Sequence, residues 1–370
     1  MAREFRTSPD FKTAVLANGS AGTSGQVLTS AGAGAAPSWT TVSGGGGLSQ
    51  FVESEATASP NATVPVDALT ATDATYANID VAFVAKGTGA TLAQVPTGTA
   101  AGGNKRGIYA TDWQKSRSAA TEIASGTYSA IGGGSGNTAS GIYSSISGGQ
   151  NNIAQGQHSF VGGGQYNASY GIYGAVCGGY NNTANNFYSV VLGGNTNAAN
   201  GDSSAVCGGR YGTTRSINGY FCTPASVDPL NVGIQGASQS GLLVLARQTT
   251  NNTATVLAST SAGLSAANQV TLPNNSAYSF SGEVIAGVTG GGNTARWTIS
   301  GAIKRGANAA STAMVGTPTV TMSHNDAGAS AWVVAVTADT TNGGIKVEVT
   351  GAASTTIRWV CKIETTEMTF

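Results

Sequence analysis

Between residues 124 and 213 one β-branched residue returns at every fifteenth position, as Ile131, Ile146, Val161, Val176, Val191 and Val206, with no insertion or deletion. Two residues beyond each comes a Gly-Gly pair, from 133–134 to 208–209. Position fourteen is Asn five times (Asn137, Asn152, Asn167, Asn182, Asn197) and then Gly212. So strict a period marks a repeat architecture. Fifteen residues are too few for a helix pair and too gapless for a propeller blade. Each repeat holds one short β-favouring run and a Gly/Asn-rich turn, which predicts one coil of a parallel β-roll. Like positions then stack about 4.8 Å apart, and six coils make a shaft roughly 29 Å long. The Ile/Val column becomes an inward ladder, and Gly-Gly marks corners with positive φ or close backbone approach.

Downstream the pattern changes to alternation. Residues 345–349 read Ile-Lys-Val-Glu-Val, and comparable runs occur at 242–247, 253–258, 269–272, 276–285, 294–304, 319–322, 331–337 and 356–364. Eight or nine short strands joined by Gly/Asn turns predict an antiparallel β-sandwich of jelly-roll type. Upstream, Gln26-Val27-Leu28-Thr29 is a short strand between Gly-rich turns, and 43–48 is a glycine joint. Residues 76–86 are the best strand of a compact β region. The expected fold is therefore all-β. It comprises an N-terminal attachment segment (1–50), a small β domain capping the roll (51–123), the roll (124–223), a linker (224–234) and a C-terminal sandwich (235–370).

A roll with one branched residue and mostly small neighbours per coil buries little apolar surface. Tyr128, Tyr143, Tyr173 and Tyr188 form a further column. That column, or the face opposite it, is expected to pack on sister chains in a closed homotrimer, which also hides strand edges.

The column pattern Tyr-Ser-x-(Ile/Val)-x-Gly-Gly resembles the left-handed parallel β-roll of trimeric autotransporter adhesin heads. It is still more similar to the gapless version in bacteriophage tail fibres. The segment SAGTSGQVLTSAGAGAAPSW at 20–39, and the run from Lys86 to Gln114, resemble modules of the same fibres. The resemblance implies an elongated virion protein made in the host cytoplasm. Its N-terminus would be held by tail or baseplate proteins, and its C-terminal tip would adsorb to host surface polysaccharide or lipopolysaccharide.

The charge balance, 17 basic against 17 acidic residues, shows no basic run and argues against nucleic acid as partner. No run is long and apolar enough to span a bilayer, and none at the N-terminus has signal-peptide character. Membrane insertion is not expected, and a bacterial trimeric surface adhesin is a third reading that the lack of a visible signal and anchor disfavours. Cys177 and Cys207 share one repeat position two coils apart, about 9.6 Å by strand spacing, too far for a disulfide. They are expected to be small apolar fillers.

Cleavage of a polysaccharide needs paired carboxylates, and the repeats carry only Asp202. Lys105, Arg106 and Asp112 are expected as solvated or inter-chain ion pairs capping the first coil. Tyr278, Trp297, Trp332 and Trp359 lie in strands, where burial is the commoner fate. The preferred receptor-binding set is on loops: Asn274, Asn275, Asn293, His324, Asn325 and Asn342. No catalytic residue, metal site or cofactor is expected. The sequence reading is a non-enzymatic phage receptor-binding fibre; the alternative is a tailspike-type depolymerase with an inter-chain or tip site.

Overall fold

The computed structural model describes residues 85–230 and 233–370 continuously, and of the N-terminal stretch only 16–17, 20–21, 23, 26–29, 36–41, 51–56, 66–71 and 83. The glycine joint at 43–48 and most of the strand expected over 76–86 lie outside the described residues. The chain divides into two units, Met1–Phe83 and Val84–Phe370. In the first, three antiparallel hairpins pair Leu16–Ala17 with Ser20–Ala21, Gln26–Thr29 with Ser38–Thr41, and Phe51–Ala56 with Val66–Ala71.

The second unit opens with the roll. Two-residue strands from Ala130–Ile131 to Ala205–Val206 pair in parallel, each residue facing its equivalent fifteen positions on. A second parallel column runs from Thr138–Ala139 to Ala198–Ala199, and single bridges from Ser135 to Arg210 form a third line. Among the described residues there is no α-helix, only two 3-10 turns. The first column begins upstream of the repeat, because Thr91–Leu92 and Thr111–Asp112 add to it in parallel. Their spacings of 20 and 19 residues to the next coil hide them from a fifteen-residue pattern.

Two ladders fill the interior. Ile131, Ile146, Val161, Val176, Val191 and Val206 are all fully buried, and so are Ala124, Ala139, Ala154, Ala184 and Ala199 in the second column. Between them runs a stack of buried amides. Asn167 donates from Nδ2 to the carbonyls of Gly163 and Gly179, each at 2.8 Å, and its Oδ1 accepts the Asn182 N–H at 3.0 Å. Asn137, Asn152, Asn182 and Asn197 repeat the pattern. A corner backbone that turns away from its own ladder is thus satisfied by a side chain of the same coil.

Glutamines continue the stack at both ends. Above the first coil, Gln114 Oε1 accepts Asn137 N–H at 2.9 Å while its Nε2 donates to Asn137 O at 2.8 Å. Below the last coil, Gln239 makes the same pair of bonds with the Thr213 backbone, at 3.0 and 2.9 Å. Gly164, at φ +82°, shows why the corners are glycine: a Cβ there would lie 2.1 Å from the Gly179 carbonyl oxygen.

The tyrosine column is a turn as well as a surface. Tyr109, Tyr128, Tyr143, His158, Tyr173 and Tyr188 all adopt left-handed backbone, with φ of 56–58°. That conformation is costly for a bulky residue. Their rings stack in turn at 4.9–5.2 Å, matching the coil spacing. Stacking offsets the strain and covers both faces of every ring between Tyr109 and Tyr188.

Two expectations are corrected. Arg106 and Asp112 are not solvated: Arg106 Nε meets Asp112 Oδ2 at 2.7 Å and Arg117 Nη2 reaches the same oxygen at 3.4 Å, with all three side chains fully buried. They close the roll from within one chain. Cys177 is exposed and Cys207 half-buried, because they flank the inward Val on a strand whose neighbours must face outward. The apolar fillers are Cys222 and Cys361, whose thiols burial raises, Cys361 to about 12.

The roll passes directly into the C-terminal strands. We number these β1 (Phe221–Pro224), β2 (Ser238–Thr249), β3 (Thr255–Val256), β4 (Val270–Thr271), β5 (Ser276–Val288), β6 (Thr294–Arg305), β7 (Ala313–Met314), β8 (Thr319–Asn325), β9 (Val333–Asp339), β10 (Gly344–Thr350) and β11 (Ile357–Thr369). β1 pairs in parallel with the last coil and antiparallel with β2, so one sheet runs from the roll through β1, β2, β11, β5 and β6 to β7 and β8. β3, β4, β9 and β10 form a second antiparallel sheet. The two sheets share one core, in which Trp359 lies 5.6 Å from Trp297 and 5.7 Å from Trp332 between ring centroids.

Candidate functional site

β11 shows how strand alternation builds the outer face of this sheet. Trp359, Cys361 and Ile363 point into the core, while Arg358, Val360, Lys362 and Glu364 point out. Pairing aligns those outward residues with neighbours remote in sequence. Ala246 on β2 faces Val360, Val360 faces Ile285 on β5, Ile285 faces Arg296 on β6, and Arg296 faces His324 on β8. One row thus crosses five strands, about 19 Å at four strand spacings. Three shallow clefts, of about 420, 300 and 640 Å3, follow this row and share Val360, Ile285 and Arg296 between them.

The middle of the groove is apolar. Ile285 is 47% and Val360 42% exposed, and nothing among the described residues covers them. The ends are polar. At one end Arg296 Nη1 donates to Ser323 Oγ at 3.1 Å, beside His324, Asn325 and Asp326. Asp326 Oδ2 accepts the Thr294 N–H at 2.8 Å, which fixes the wall there. At the other end stand Arg358, Gln248, Ser259, Thr260 and Ser261.

Beside the floor runs a charged row. Glu283 on β5 faces Lys362 on β11, and Glu364 lies two residues further along β11. Glu283 and Glu364 are therefore diagonal neighbours, about 7–8 Å apart between backbone positions and somewhat less between Cβ atoms. Lys362 Nζ lies 3.0 Å from Glu364, and that hydrogen bond together with the charge of Glu364 raises the ammonium above its usual range. Arg296 Nη2 lies 2.6 Å from Glu283. Pairs this exposed contribute little because water and salt screen them, so a ligand can redirect either cation at little cost.

The six loop residues named from the sequence fall at opposite ends of β5, roughly 40 Å apart for a strand of thirteen residues. Asn293, His324 and Asn325 come together at the groove end: Asn293 lies against Gly328, and Asn325 Nδ2 donates to the Asp326 carbonyl at 2.9 Å. Asn274, Asn275 and Asn342 gather at the far end. There Asn275 exchanges backbone bonds with Gly306 and Phe370, and Asn342 Nδ2 donates to Asp339 Oδ2 at 2.7 Å. Burial alone would raise the Asp339 carboxyl; the bonds from Gln269, Asn342 and Thr341 hold it low instead. Tyr278, Trp297, Trp332 and Trp359 are all at least 97% buried and offer no sugar platform. Sequence reading missed Ile285, Arg296 and Val360. The only signal of Ile285 and Val360 was an outward apolar residue within an otherwise alternating strand, and Arg296 had none.

Three solved structures similar to this chain are phage tailspikes. They are the tailspike protein gp49 from Acinetobacter baumannii bacteriophage Fri1, a capsular polysaccharide depolymerase, and the tailspikes of Acinetobacter phage vB_ApiP_P1 and of Acinetobacter baumannii phage AM24. Identities are 8%, 10% and 7%, with TM-scores of 0.21, 0.20 and 0.20. The alignments cover 65%, 72% and 70% of this chain and 47%, 55% and 52% of those chains, so this chain spans about half their length. No family model and no curated protein matches. The expectation that the chain is not an enzyme is withdrawn: the first of these tailspikes is a depolymerase. Two neighbouring carboxylates do occur, on an element other than the roll, since strand pairing sets Glu283 diagonally across from Glu364. Among the described residues, no helix is long and apolar enough to cross a membrane, and no cluster of His, Cys, Asp and Glu could hold a metal.

Proposed function

We propose that the chain is a tailspike-type virion protein that binds a host surface polysaccharide in the groove and cleaves it. The observation that carries this reading is the single row Ala246–Val360–Ile285–Arg296–His324. It gives a linear ligand an apolar floor for its sugar rings and polar groups at either end for its hydroxyls. Two carboxylates, Glu283 and Glu364, stand as diagonal neighbours beside this floor, and glycoside hydrolysis uses one carboxyl as acid and a second as base or nucleophile. In this reading the ligand draws Arg296 away from Glu283, and Glu283, once protonated, gives that proton to the bridging oxygen while Glu364 takes one from water. The water oxygen bonds to the anomeric carbon as the C–O bond breaks, and one water is consumed per bond.

The test uses polysaccharide from a strain whose cells the full chain labels. The wild-type chain is expected to generate reducing ends. Glu283→Gln and Glu364→Gln should each lower that rate about 100-fold or more while leaving binding within a few-fold. Binding without any new reducing ends would refute cleavage; failure to label any strain would refute the groove as a receptor site.

In the same reading three copies associate along the roll, which winds left-handed, with a jelly-roll-like sandwich at the tip. The N-terminal segment meets other tail proteins. Support for association comes from Phe160, Leu192, Phe221 and Val244, each 39–55% exposed along the outer face of the continuous sheet, and from the thin interior of each coil. The groove row lies four residues beyond Leu242, the last residue of β2 opposite the roll-linked β1 row, about 13 Å farther along the strands. Light scattering should return three chain masses, and a stable monomer at micromolar concentration would end this part of the reading.

A further inference from the structure

The two ends of the groove differ in charge, and the difference points to the ligand. At the His324 end, Arg296 is paired with Glu283 and Asp326 stands alongside. At the other end, the lining includes Arg247, Arg358, Gln248, Ser259, Thr260 and Ser261, and no lining residue is acidic. Arg247 is spent on structure. Its Nε donates to Val256 O at 3.2 Å, its Nη1 to Ser261 O at 2.8 Å, and its Nη2 to Ala262 O, so it clamps the loop that forms this wall. Arg358 is different. It is exposed, makes no ion pair among the described residues, and has one long hydrogen bond, Nε to Gln248 Oε1 at 3.4 Å. Its two terminal nitrogens have no partner there.

We infer that this end of the groove is a subsite for the carboxylate of an acidic sugar, so that the polysaccharide bound is a uronate- or ulosonate-containing polymer. The inference rests on the reading of the groove as a glycan site. A guanidinium presents two parallel N–H donors that match the two oxygens of a carboxylate, an arrangement that an amide or hydroxyl cannot reproduce. Ser259, Thr260 and Ser261 on the facing loop line the same cleft; the Ser259 hydroxyl is held by the Asn218 carbonyl and the Thr260 hydroxyl accepts from Asn268, which leaves the Ser261 hydroxyl to meet the ring hydroxyls of that sugar. The fixed positive charge of Arg247 behind the wall adds to the attraction. An isolated neutral sugar would gain little from two uncompensated cations, whereas an anionic one neutralises them.

The test measures binding of the full chain to polysaccharide from a strain it labels, in three forms: native, carboxyl-reduced with carbodiimide and borohydride, and dephosphorylated. Carboxyl reduction is expected to weaken wild-type binding about 10–100-fold, the range for a charged hydrogen-bonded pair, and dephosphorylation to leave it unchanged. Arg358→Gln should lose the same factor on the native polymer, and reduction should cost that variant nothing further. Arg358→Lys, which keeps the charge without the fork, should recover only part of the loss. Equal binding of native and reduced polymer overturns the inference, as does an Arg358→Gln variant that binds like wild type. Loss on dephosphorylation alone overturns it in favour of a phosphate ligand. If Ile285→Asp abolishes binding to both forms equally while Arg358→Gln does nothing, the groove stands and only the acidic subsite falls. If neither substitution matters although cells are labelled, the groove reading itself fails.

Discussion

Asn167→Ala should destabilise the roll by about 2–6 kcal/mol, read as a shift in the urea midpoint of the full chain at unchanged slope. Truncation removes both hydrogen bonds from Nδ2 and the acceptor of the Asn182 N–H. The Gly179 carbonyl keeps a second partner in Gln165 N–H. The Asn182 N–H and the Gly163 carbonyl do not, and each orphaned buried group costs about 1–3 kcal/mol. The effect should be local to the coils on either side, since each coil bonds only its neighbours. Hydrogen exchange ought therefore to speed first at residues of the adjacent coils. Asn167→Asp should be at least as damaging, because a carboxylate cannot donate to two carbonyls. A loss below about 1 kcal/mol would show that water enters the coil and replaces the amide, and the ladder would then not be what holds the corners.

How much of this was open to sequence reading depends on whether a feature repeats. The Ile/Val column, the Gly-Gly corners and the Asn column recur at one spacing, so register follows from counting. Alternation likewise marked β5, β6, β10 and β11. The ladder caps were invisible. Gln114 and Gln239 each stand outside the period, and they act as caps only because the fold brings one above Asn137 and the other below Thr213. Even the break in the Asn column has a place in the stack: Gly212 has no amide to offer, but its N–H is the last to be accepted, by Asn197 Oδ1 at 2.7 Å. The groove was hidden for a reason like that of the caps. Its floor draws one residue from each of five strands, and no local pattern records which outward residues will face one another. Arg296 and Ile285 become neighbours only through the β5–β6 register. The five loop asparagines and one histidine were grouped by residue type, and residue type cannot tell one end of a strand from the other.

Glu367→Gln should cost about 3–5 kcal/mol, more than its conservative shape suggests, because it leaves a buried cation without its counter-charge. Glu367 is 3% exposed at the junction between the roll and the C-terminal strands. Its Oε2 accepts from Arg215 Nη2 at 2.9 Å and from Gln239 Nε2 at 2.8 Å, and its Oε1 accepts from Thr365 Oγ1 at 2.8 Å and from the Tyr220 hydroxyl. Burial, then the adjacent carboxylate, pushes the Tyr220 phenol well above its usual range, so it remains a donor. One carboxylate thus joins the turn after the last coil, the approach to β1, β2 and β11. Gln239 extends the link, since the same side chain caps the amide stack on Thr213. Arg215→Met should be about as costly, because it strands the carboxylate in turn. The double variant Arg215→Met/Glu367→Met is the decisive measurement. If the pair acts as a unit, its loss should fall well short of the sum of the singles, because neither charge is left buried alone. The remaining cost comes from Tyr220, Thr365 and Gln239, which lose an acceptor. Strictly additive losses, or single variants within about 1 kcal/mol of wild type, would mean that the junction is held by the continuous sheet alone and that this buried pair adds nothing to it.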